Sequence, residues 1–324
     1  MYADDTSQDI IPTETSTSRK LQESGTELEK NVSLSQKVVF SASQISSITV
    51  PGVGGVCHIS VVTSDRLWVS DDEGRLLQVD SSGRVLHDKL RVRYFPITGS
   101  HTVTEDGDLL FIDDDEVRKL TSDGTVITLL TPDREALCIH SSRINGDILV
   151  GSRWRVTRYD RTGRKLQVIE KDDKGQRLYE LPFYITENKN GDIWISDRYK
   201  GAVVVVDKSG HHRFDYTGHQ SDYTGRQSDY TGRHSSYTGR QSHFSPCGIC
   251  TDVLGHVLVC DDYNYNAHLL DQDGQFLSLL LTREQHGIHF PRALCVDDQH
   301  NLYLGQEFSN TIKVYKYLQD TDVK

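Results

Sequence analysis

The feature that most constrains this chain is a strand motif that recurs six times. Each copy is a polar turn, then three or four mostly apolar residues, and then a small or acidic residue, as in Gly-Asp-Ile-Trp-Ile-Ser-Asp at residues 191–197. The copies begin at residues 65, 107, 146, 191, 255 and 300, so all intervals but one are 39 to 45 residues long. Intervals of this length are typical of folds built from repeated four-stranded units.

A second turn follows each pair of strands and indicates two further strands per repeat. These turns end in glycine and lie at residues 80–83, 122–124, 160–163, 207–210 and 271–274. Six repeats of four strands predict an all-β fold, a six-bladed β-propeller with four antiparallel strands per blade. The sixth repeat ends after residues 314–317, before a fourth strand. Because an unpaired edge would leave the ring open, we predict that an N-terminal strand at residues 37–40 closes it.

The domain organisation follows from composition and from the one long interval. Residues 1–36 are polar, contain neither Cys nor His, and are expected to form a disordered tail, with the propeller spanning residues 37–324. The interval of 64 residues contains four copies of a seven-residue unit, at residues 215–242, which we interpret as a loop insertion between blades 4 and 5. Its tyrosines and arginines suit stacking on single-stranded nucleic acid, but a neutral loop expansion costs little and is favoured.

Composition excludes several classes of protein. Apolar residues make up 36% of the chain and their longest runs have the length of strands, so no membrane-spanning helix and no membrane partner are expected. The acidic N-terminus lacks the apolar segment of a secretory signal. The net charge of −11 disfavours indiscriminate binding to nucleic acid. Six cysteines are few, as is typical of a reducing compartment, so we expect a cytoplasmic protein.

The fifth repeat resembles a known sequence family. Its Pro-Cys-Gly-Ile strand at residues 246–249, the strand motif at Gly255 and the Asp-Gln-Asp-Gly turn at residues 271–274 are similar to the NHL repeat. Residues 52–318 as a whole resemble the C-terminal propeller of invertebrate tripartite-motif (TRIM-NHL) proteins. In that family a RING, B-boxes and a coiled coil precede the propeller, the RING supplies ubiquitin ligase activity, and the propeller binds protein or RNA.

The resemblance does not carry the family's ligase chemistry to this chain. None of the three N-terminal modules is recognisable here, and the absence of Cys and His from residues 1–36 excludes a zinc module there. Without a coiled coil, we expect a monomer.

No motif indicates catalysis or metal binding. Cys247 and Cys250 form the only Cys-x-x-Cys pair, and without a second pair they are predicted to be buried core residues. An Asp recurs at the end of the second strand in four blades, which favours a turn-fixing role over a single catalytic role. These residues are Asp71, Asp113, Asp197 and Asp261. We therefore expect no enzymatic activity, no cofactor and no metal.

One face of the predicted propeller collects aromatic and basic residues. In a four-stranded meander, the connections between blades and the turns between second and third strands emerge on the same side, which we call the loop face. Trp, Tyr and Arg dominate the energetics of protein interfaces. The candidate binding residues on the loop face are Arg153, Trp154, Arg155, Arg198, Tyr199, Lys200, Tyr263 and Tyr265.

Three functions are compatible with these features. The first is a non-catalytic module that recruits a protein partner through the loop face, like the substrate-recognition end of tripartite-motif ubiquitin ligases. The second is an RNA-binding propeller that uses the basic and aromatic sector around Trp154 and Tyr199. The third and weakest is a metal-dependent enzyme of the lactonase or lyase type. Salt-dependent affinity for RNA would indicate the second and stoichiometric calcium or zinc the third, whereas the net charge favours the first.

Overall fold

The computed structural model describes residues 40–92, 101–219 and 244–318, all within one compact unit, Phe40–Lys324. The predictions for residues 1–36 lie outside the described residues, as do those for most of the seven-residue repeats. The described part is built from 24 strands in six four-stranded sheets. Its one helix, α1 (Arg283–His286), is a single turn. The predicted six-bladed β-propeller with four antiparallel strands per blade is confirmed.

The first three blades follow one another along the chain, and each is an antiparallel meander. Blade 1 consists of β2 (His58–Thr63), β3 (Arg66–Ser70), β4 (Arg75–Asp80) and β5 (Val85–Arg91). Blade 2 consists of β6 (His101–Val103), β7 (Leu109–Asp113), β8 (Glu116–Leu120) and β9 (Val126–Leu130). Blade 3 consists of β10 (Ala136–Ser141), β11 (Ile148–Ser152), β12 (Arg155–Tyr159) and β13 (Lys165–Ile169).

The last three blades repeat this order, except that the sixth takes its outer strand from the N-terminal side of the chain. Blade 4 consists of β14 (Pro182–Glu187), β15 (Ile193–Asp197), β16 (Ala202–Val206) and β17 (His212–Tyr216). Blade 5 consists of β18 (Pro246–Thr251), β19 (Val257–Asp261), β20 (Asn266–Leu270) and β21 (Phe276–Thr282). Blade 6 consists of β22 (Pro291–Val296), β23 (Asn301–Gln306), β24 (Ser309–Lys316) and β1 (Ser43–Thr49).

An N-terminal strand closes the ring, as predicted, but at a different position. β1 pairs antiparallel with β24, with Ser43 opposite Lys316 and Thr49 opposite Thr311. Of the predicted residues 37–40, only Phe40 is among the described residues, and it precedes β1. β1 is an outer strand in which only Ile48 is buried. It therefore has no apolar run like the one at residues 37–40, on which the prediction was based.

The first strands of the blades surround a central channel. β2 contacts β6 and β22, β10 contacts β6 and β14, and β18 contacts β14 and β22. The second and third strands of each blade pack against the blades on either side, which explains why every residue of β15 and β16 is buried. Because both faces of these strands are covered, their sequences are apolar without strict alternation. The recurring sequence motif corresponds to these second strands.

Three of the four recurring aspartates, Asp71, Asp197 and Asp261, fix turns, as predicted. Asp71 accepts hydrogen bonds from two backbone N–H groups of the turn that follows it, at 3.0 and 2.8 Å. Asp261 accepts three, from the backbones of Ser245, Tyr263 and Asn264. Asp113 instead forms an ion pair with a strand neighbour. The carboxylates of Asp71 and Asp261 thus satisfy backbone groups that would otherwise lack partners.

The cysteines behave as core residues. All six are free thiols, and all but Cys295 are buried. Burial raises the pKa of the Cys247 and Cys250 thiols well above its ordinary value, which keeps them protonated. The prediction that the Cys-x-x-Cys pair is structural therefore agrees with its surroundings.

Candidate functional site

A cavity of about 410 Å³ lies on the loop face between blades 3 and 4, and we call it the Trp154 pocket. Four of the predicted binding residues line it, together with part of the connection from β13 to β14. Its wall consists of Arg153, Trp154, Arg177, Leu178, Tyr179, Glu180, Leu181, Tyr199 and Lys200. The pocket therefore unites two turns and one connection that are far apart in sequence.

Trp154 occupies the two-residue turn between β11 and β12 in an unusual backbone conformation. Its φ is +72°, in the left-handed region that costs a residue with a side chain roughly 1–2 kcal/mol. The indole ring is partly buried between two guanidinium groups, with the Cζ of Arg177 4.5 Å and that of Arg153 5.3 Å from the ring centroid. Each such cation–π contact contributes about 0.5–1 kcal/mol at an exposed site. Backbone strain of this kind is concentrated at functional surfaces.

The opposite wall of the pocket is held by Asp197, the last residue of β15. Its Oδ2 accepts hydrogen bonds from the backbone N–H groups of Glu180 and Leu181, at 2.6 and 3.0 Å, and its Oδ1 from that of Lys200 at 2.9 Å. Asp197 is fully buried, and burial raises the pKa of its carboxyl group. The recurring turn aspartate therefore joins the connection to the turn that carries Tyr199, whose side chain is 42% exposed.

Two predicted binding residues, Arg155 and Arg198, do not line the pocket. Arg155 is buried at the start of β12 and forms an ion pair with Asp133. The Arg198 guanidinium lies 2.6 Å from the Asp262 carboxylate and 3.1 Å from the hydroxyl of Ser245. Sequence position alone places both arginines in exposed turns. It could not show that carboxylates from other segments reach them.

Arg198 belongs to a buried network that we call the guanidinium cap. The second guanidinium of this cap is that of Arg292, whose Nη1 lies 3.2 Å from Glu307 and 3.6 Å from Asp262. Both guanidinium groups lie over the Phe183 ring, at 5.8 and 5.3 Å from its centroid. The cap joins blades 4, 5 and 6 at the loop-face end of the inner strands, so its role is structural.

Tyr263 and Tyr265 lie elsewhere on the loop face, in the turn between β19 and β20. The Tyr265 ring contacts Phe290 edge to face at 4.7 Å, and Phe290 contacts Phe308 at 5.2 Å. Tyr263 is 42% and Phe308 56% exposed. Both Tyr265 and Phe290 have positive φ values, +56° and +46°. Tyr265, Phe290 and Phe308 form a cluster, and Tyr263 lies in the same turn as Tyr265. We call these four residues the aromatic patch.

Most of the cations predicted for the loop face are neutralised within the protein. Besides the pairs of Arg155 and Arg198, the ammonium group of Lys200 lies 2.7 Å from Asp215 and donates to the carbonyl oxygen of Leu178. The cationic character of the Trp154 pocket therefore comes from Arg153 and Arg177, with the exposed carboxylate of Glu180 beside them.

Sequence reasoning missed Arg177 and Glu180. The rule that connections between blades emerge on the loop face covers residues 170–181, so it could have included both. A backbone bridge between Lys171 and Arg177 orders this connection. No sequence pattern indicates that bridge. Without it, the sequence does not show that Arg177, and not a neighbouring charged residue, contacts Trp154.

No metal site is visible in the described ranges. Within residues 40–92, 101–219 and 244–318, no group of three or more His, Cys, Asp or Glu side chains is placed to hold a metal ion. In the same ranges, no helix has the length and apolar character needed to cross a membrane.

Comparisons with known proteins support the fold. No protein-family model and no curated protein matches the chain. Among solved structures, virginiamycin B lyase from Staphylococcus aureus is 16% identical, with a TM-score of 0.54 over 87% of this chain and 90% of the lyase. A gluconolactonase from Xanthomonas campestris is 12% identical (TM-score 0.57; 86% and 100% covered). The WD40 propeller domain of Doa1 is 10% identical, with a TM-score of 0.55 over 87% of this chain and 99% of that domain. Similarity at this level of identity shows the propeller fold alone.

Proposed function

We propose that this propeller is a non-catalytic interaction module that recruits a protein partner by accepting a segment of it in the Trp154 pocket. The observation that carries the proposal is the strained, partly exposed Trp154 ring between Arg153 and Arg177. Trp, Tyr and Arg are the residues most enriched among interface hot spots, and the pocket presents all three. Its volume of about 410 Å³ lies within the range of ligand-binding pockets.

The charges of the pocket favour a protein over RNA as the partner. Binding to RNA relies on cations that are free to neutralise phosphates. Three loop-face cations, Arg155, Arg198 and Lys200, are already paired with carboxylates of the same chain. The remaining arginines flank an aromatic ring next to the carboxylate of Glu180. Mixed charge around aromatic side chains suits a peptide segment with apolar and acidic residues.

We infer that the module serves as a recognition end, as the propellers of tripartite-motif proteins do, and that it works in the cytoplasm. The ligase activity of that family is a property of its RING, so none is assigned to the propeller residues. The similarity to a lyase and a lactonase shows the fold alone.

The proposal is tested by affinity capture from a cytoplasmic extract with the wild-type chain and two glycine variants. Trp154→Gly removes the ring and suits the positive φ, so the fold is preserved. Loss of an anchor worth 2 kcal/mol or more corresponds to about 30-fold weaker capture. His300→Gly is the matched control, because His300 has a φ of +62° in a turn on the opposite face.

The proteins that matter are those retained by the wild type and by His300→Gly but lost from Trp154→Gly. Nuclease treatment of the extract should leave this set unchanged. Capture that survives in Trp154→Gly would contradict the proposal, and capture abolished by nuclease would indicate RNA instead.

A further inference from the structure

The channel inside the ring contains a cavity of about 530 Å³ that is separate from the Trp154 pocket. All six inner strands line it, and it reaches the turns between first and second strands. These turns lie on the side opposite the loop face, which we call the turn face. Residues at this end of the cavity include Arg143, Ile144, Val253 and Asp298. Ile144 is 56% exposed and Val253 is 50% exposed.

The loop-face end of the channel is closed. The Tyr184 hydroxyl of blade 4 donates a hydrogen bond to the backbone carbonyl of Cys57 in blade 1, so it crosses the channel. The guanidinium cap lies at the same end, and Arg198, Arg292 and Phe183 are absent from the lining of the cavity. A ligand therefore enters this cavity from the turn face.

Two imidazoles at the closed end have buried nitrogen atoms without a partner. The rings of His58 and His101 lie 4.2 Å apart, and both line the cavity. His101 is fully buried. Among the described residues, neither Nδ1 of His58 nor Nε2 of His101 has a hydrogen-bond partner. Buried polar atoms are nearly always paired in folded proteins, so two unpaired nitrogens that line a cavity point to a ligand able to pair with them.

The tautomer of His101 can be set by its neighbour. The Ser60 hydroxyl lies 3.0 Å from Nδ1 of His101. When this hydroxyl donates to Nδ1, the proton of the neutral ring is on Nε2, which then presents an N–H donor to the cavity. A ligand that accepts hydrogen bonds selects this arrangement.

The imidazoles and Arg143 offer hydrogen-bond donors and one positive charge to an anionic acceptor. Burial lowers the pKa of His58 to about 3 and that of His140 to about 4, so both rings are neutral donors at pH 7. Arg143 acts on His140 from the turn face, and no described carboxylate acts on His58, His101 or His140. Glu187, Asp252 and Asp297 also line the cavity. Their carboxylates accept hydrogen bonds from the hydroxyls of Ser142, Tyr317 and Tyr303, and Asp298 lies with Arg143 at the turn-face end.

We propose that the channel binds a small aliphatic carboxylic acid that enters from the turn face. Its carboxylate accepts hydrogen bonds from the imidazoles and is attracted by Arg143. Its hydrocarbon part lies against the exposed aliphatic side chains at the turn-face end of the cavity, Ile144 and Val253. The cavity combines aliphatic side chains with convergent polar groups, as small-molecule sites do. This site is independent of the proposed partner binding on the loop face.

The test uses sodium hexanoate as the probe and hexanamide as its uncharged counterpart. Both are titrated into the full-length chain labelled with ¹³C at the histidine Cε1 positions, and histidine resonances are followed by NMR. We expect hexanoate to shift the resonances of His58 and His101, assigned by single substitutions, with hexanamide binding at least about tenfold more weakly. Arg143→Gln should weaken hexanoate binding about tenfold, because it removes the attracting charge.

Arg134→Gln is the matched control, because Arg134 is an exposed arginine on the opposite face and its loss changes the net charge equally. Binding by this variant should equal that of the wild type. Three results would overturn the proposal: no shift of either histidine by hexanoate, equal binding of the acid and the amide, or equal weakening by the two arginine variants. None of these results would bear on capture by the Trp154 pocket.

Discussion

His58 shows how the position of one residue in the ring determines its chemistry. It begins β2, and its ring lies between those of His101 and Tyr184, with centroids 4.2 and 5.3 Å away. Burial, and to a lesser extent the charge of His140, lowers the pKa of His58 to about 3. The folded protein therefore excludes a proton that the unfolded chain binds below its ordinary pKa of about 6.5.

This difference predicts a pH dependence of stability. Between pH 6.5 and about 3, the unfolded state carries one more proton at His58, so the free energy of unfolding falls as the pH falls. The contribution reaches about 1.4 kcal/mol per pH unit. Urea denaturation of the wild type and of His58→Gln at several pH values from 6 to 4.5 should show a slope smaller by this amount in the variant. Parallel curves would mean that His58 titrates normally in the folded state.

At the scale of residues, recurrence made some roles predictable from the sequence. Asp71 and Asp261 recur at equivalent positions, and recurrence in several blades indicates a role in fixing the backbone, as their hydrogen bonds show. Arg198 has no such repeat. Its pairing with Asp262 of the next blade depends on how blades 4 and 5 meet, and local sequence contains no information on that contact. The same holds for the contact of Arg177 with Trp154.

At the scale of elements, β1 determines whether the ring is closed. It pairs with β24 over its whole length, and Ile48 and Val50 are buried against the core between blades 6 and 1. Removing an outer strand exposes β24 as a new edge and uncovers this core.

We therefore expect two truncations to differ sharply. Removal of residues 1–39 should leave the melting temperature unchanged, because the pairing of blade 6 begins at Ser43. Removal of residues 1–49 should lower it by ten degrees or more, roughly 2–4 °C for each kcal/mol lost in a domain of this size. Thermal unfolding followed by circular dichroism measures both. Equal melting temperatures would show that β1 contributes nothing to closure.

The elements themselves were largely predictable, and the exceptions have a physical cause. Second strands such as β15 are buried on both faces, so most of their residues are apolar and the strands are easy to recognise in the sequence. In β1 only Ile48 is buried, and the Ser-rich sequence of the strand resembles that of a loop. β17 extends to Tyr216, so the first two residues of the predicted insertion at 215–242 belong to a strand. Boundaries at exposed edges are weakly encoded because burial there is slight.

At the scale of the whole molecule, the propeller separates two kinds of site. The loop face carries the Trp154 pocket and the aromatic patch, formed by turns and connections that add side chains without altering the blades. The turn face opens into the channel. A rigid ring that presents variable loops is suited to recognition, because its surface residues contribute little to the core.

The most direct test of partner recruitment by the loop face is site-specific photo-crosslinking in cells. A photoreactive phenylalanine analogue replaces Tyr199 at the Trp154 pocket, or Ile144 on the turn face of blade 3 as the control, since both side chains are exposed. Recruitment through the loop face predicts a discrete, nuclease-resistant protein adduct from position 199 that is lost when Trp154→Gly is added, and none from position 144. An adduct of equal yield from position 144, or one from position 199 that persists in Trp154→Gly, would contradict it.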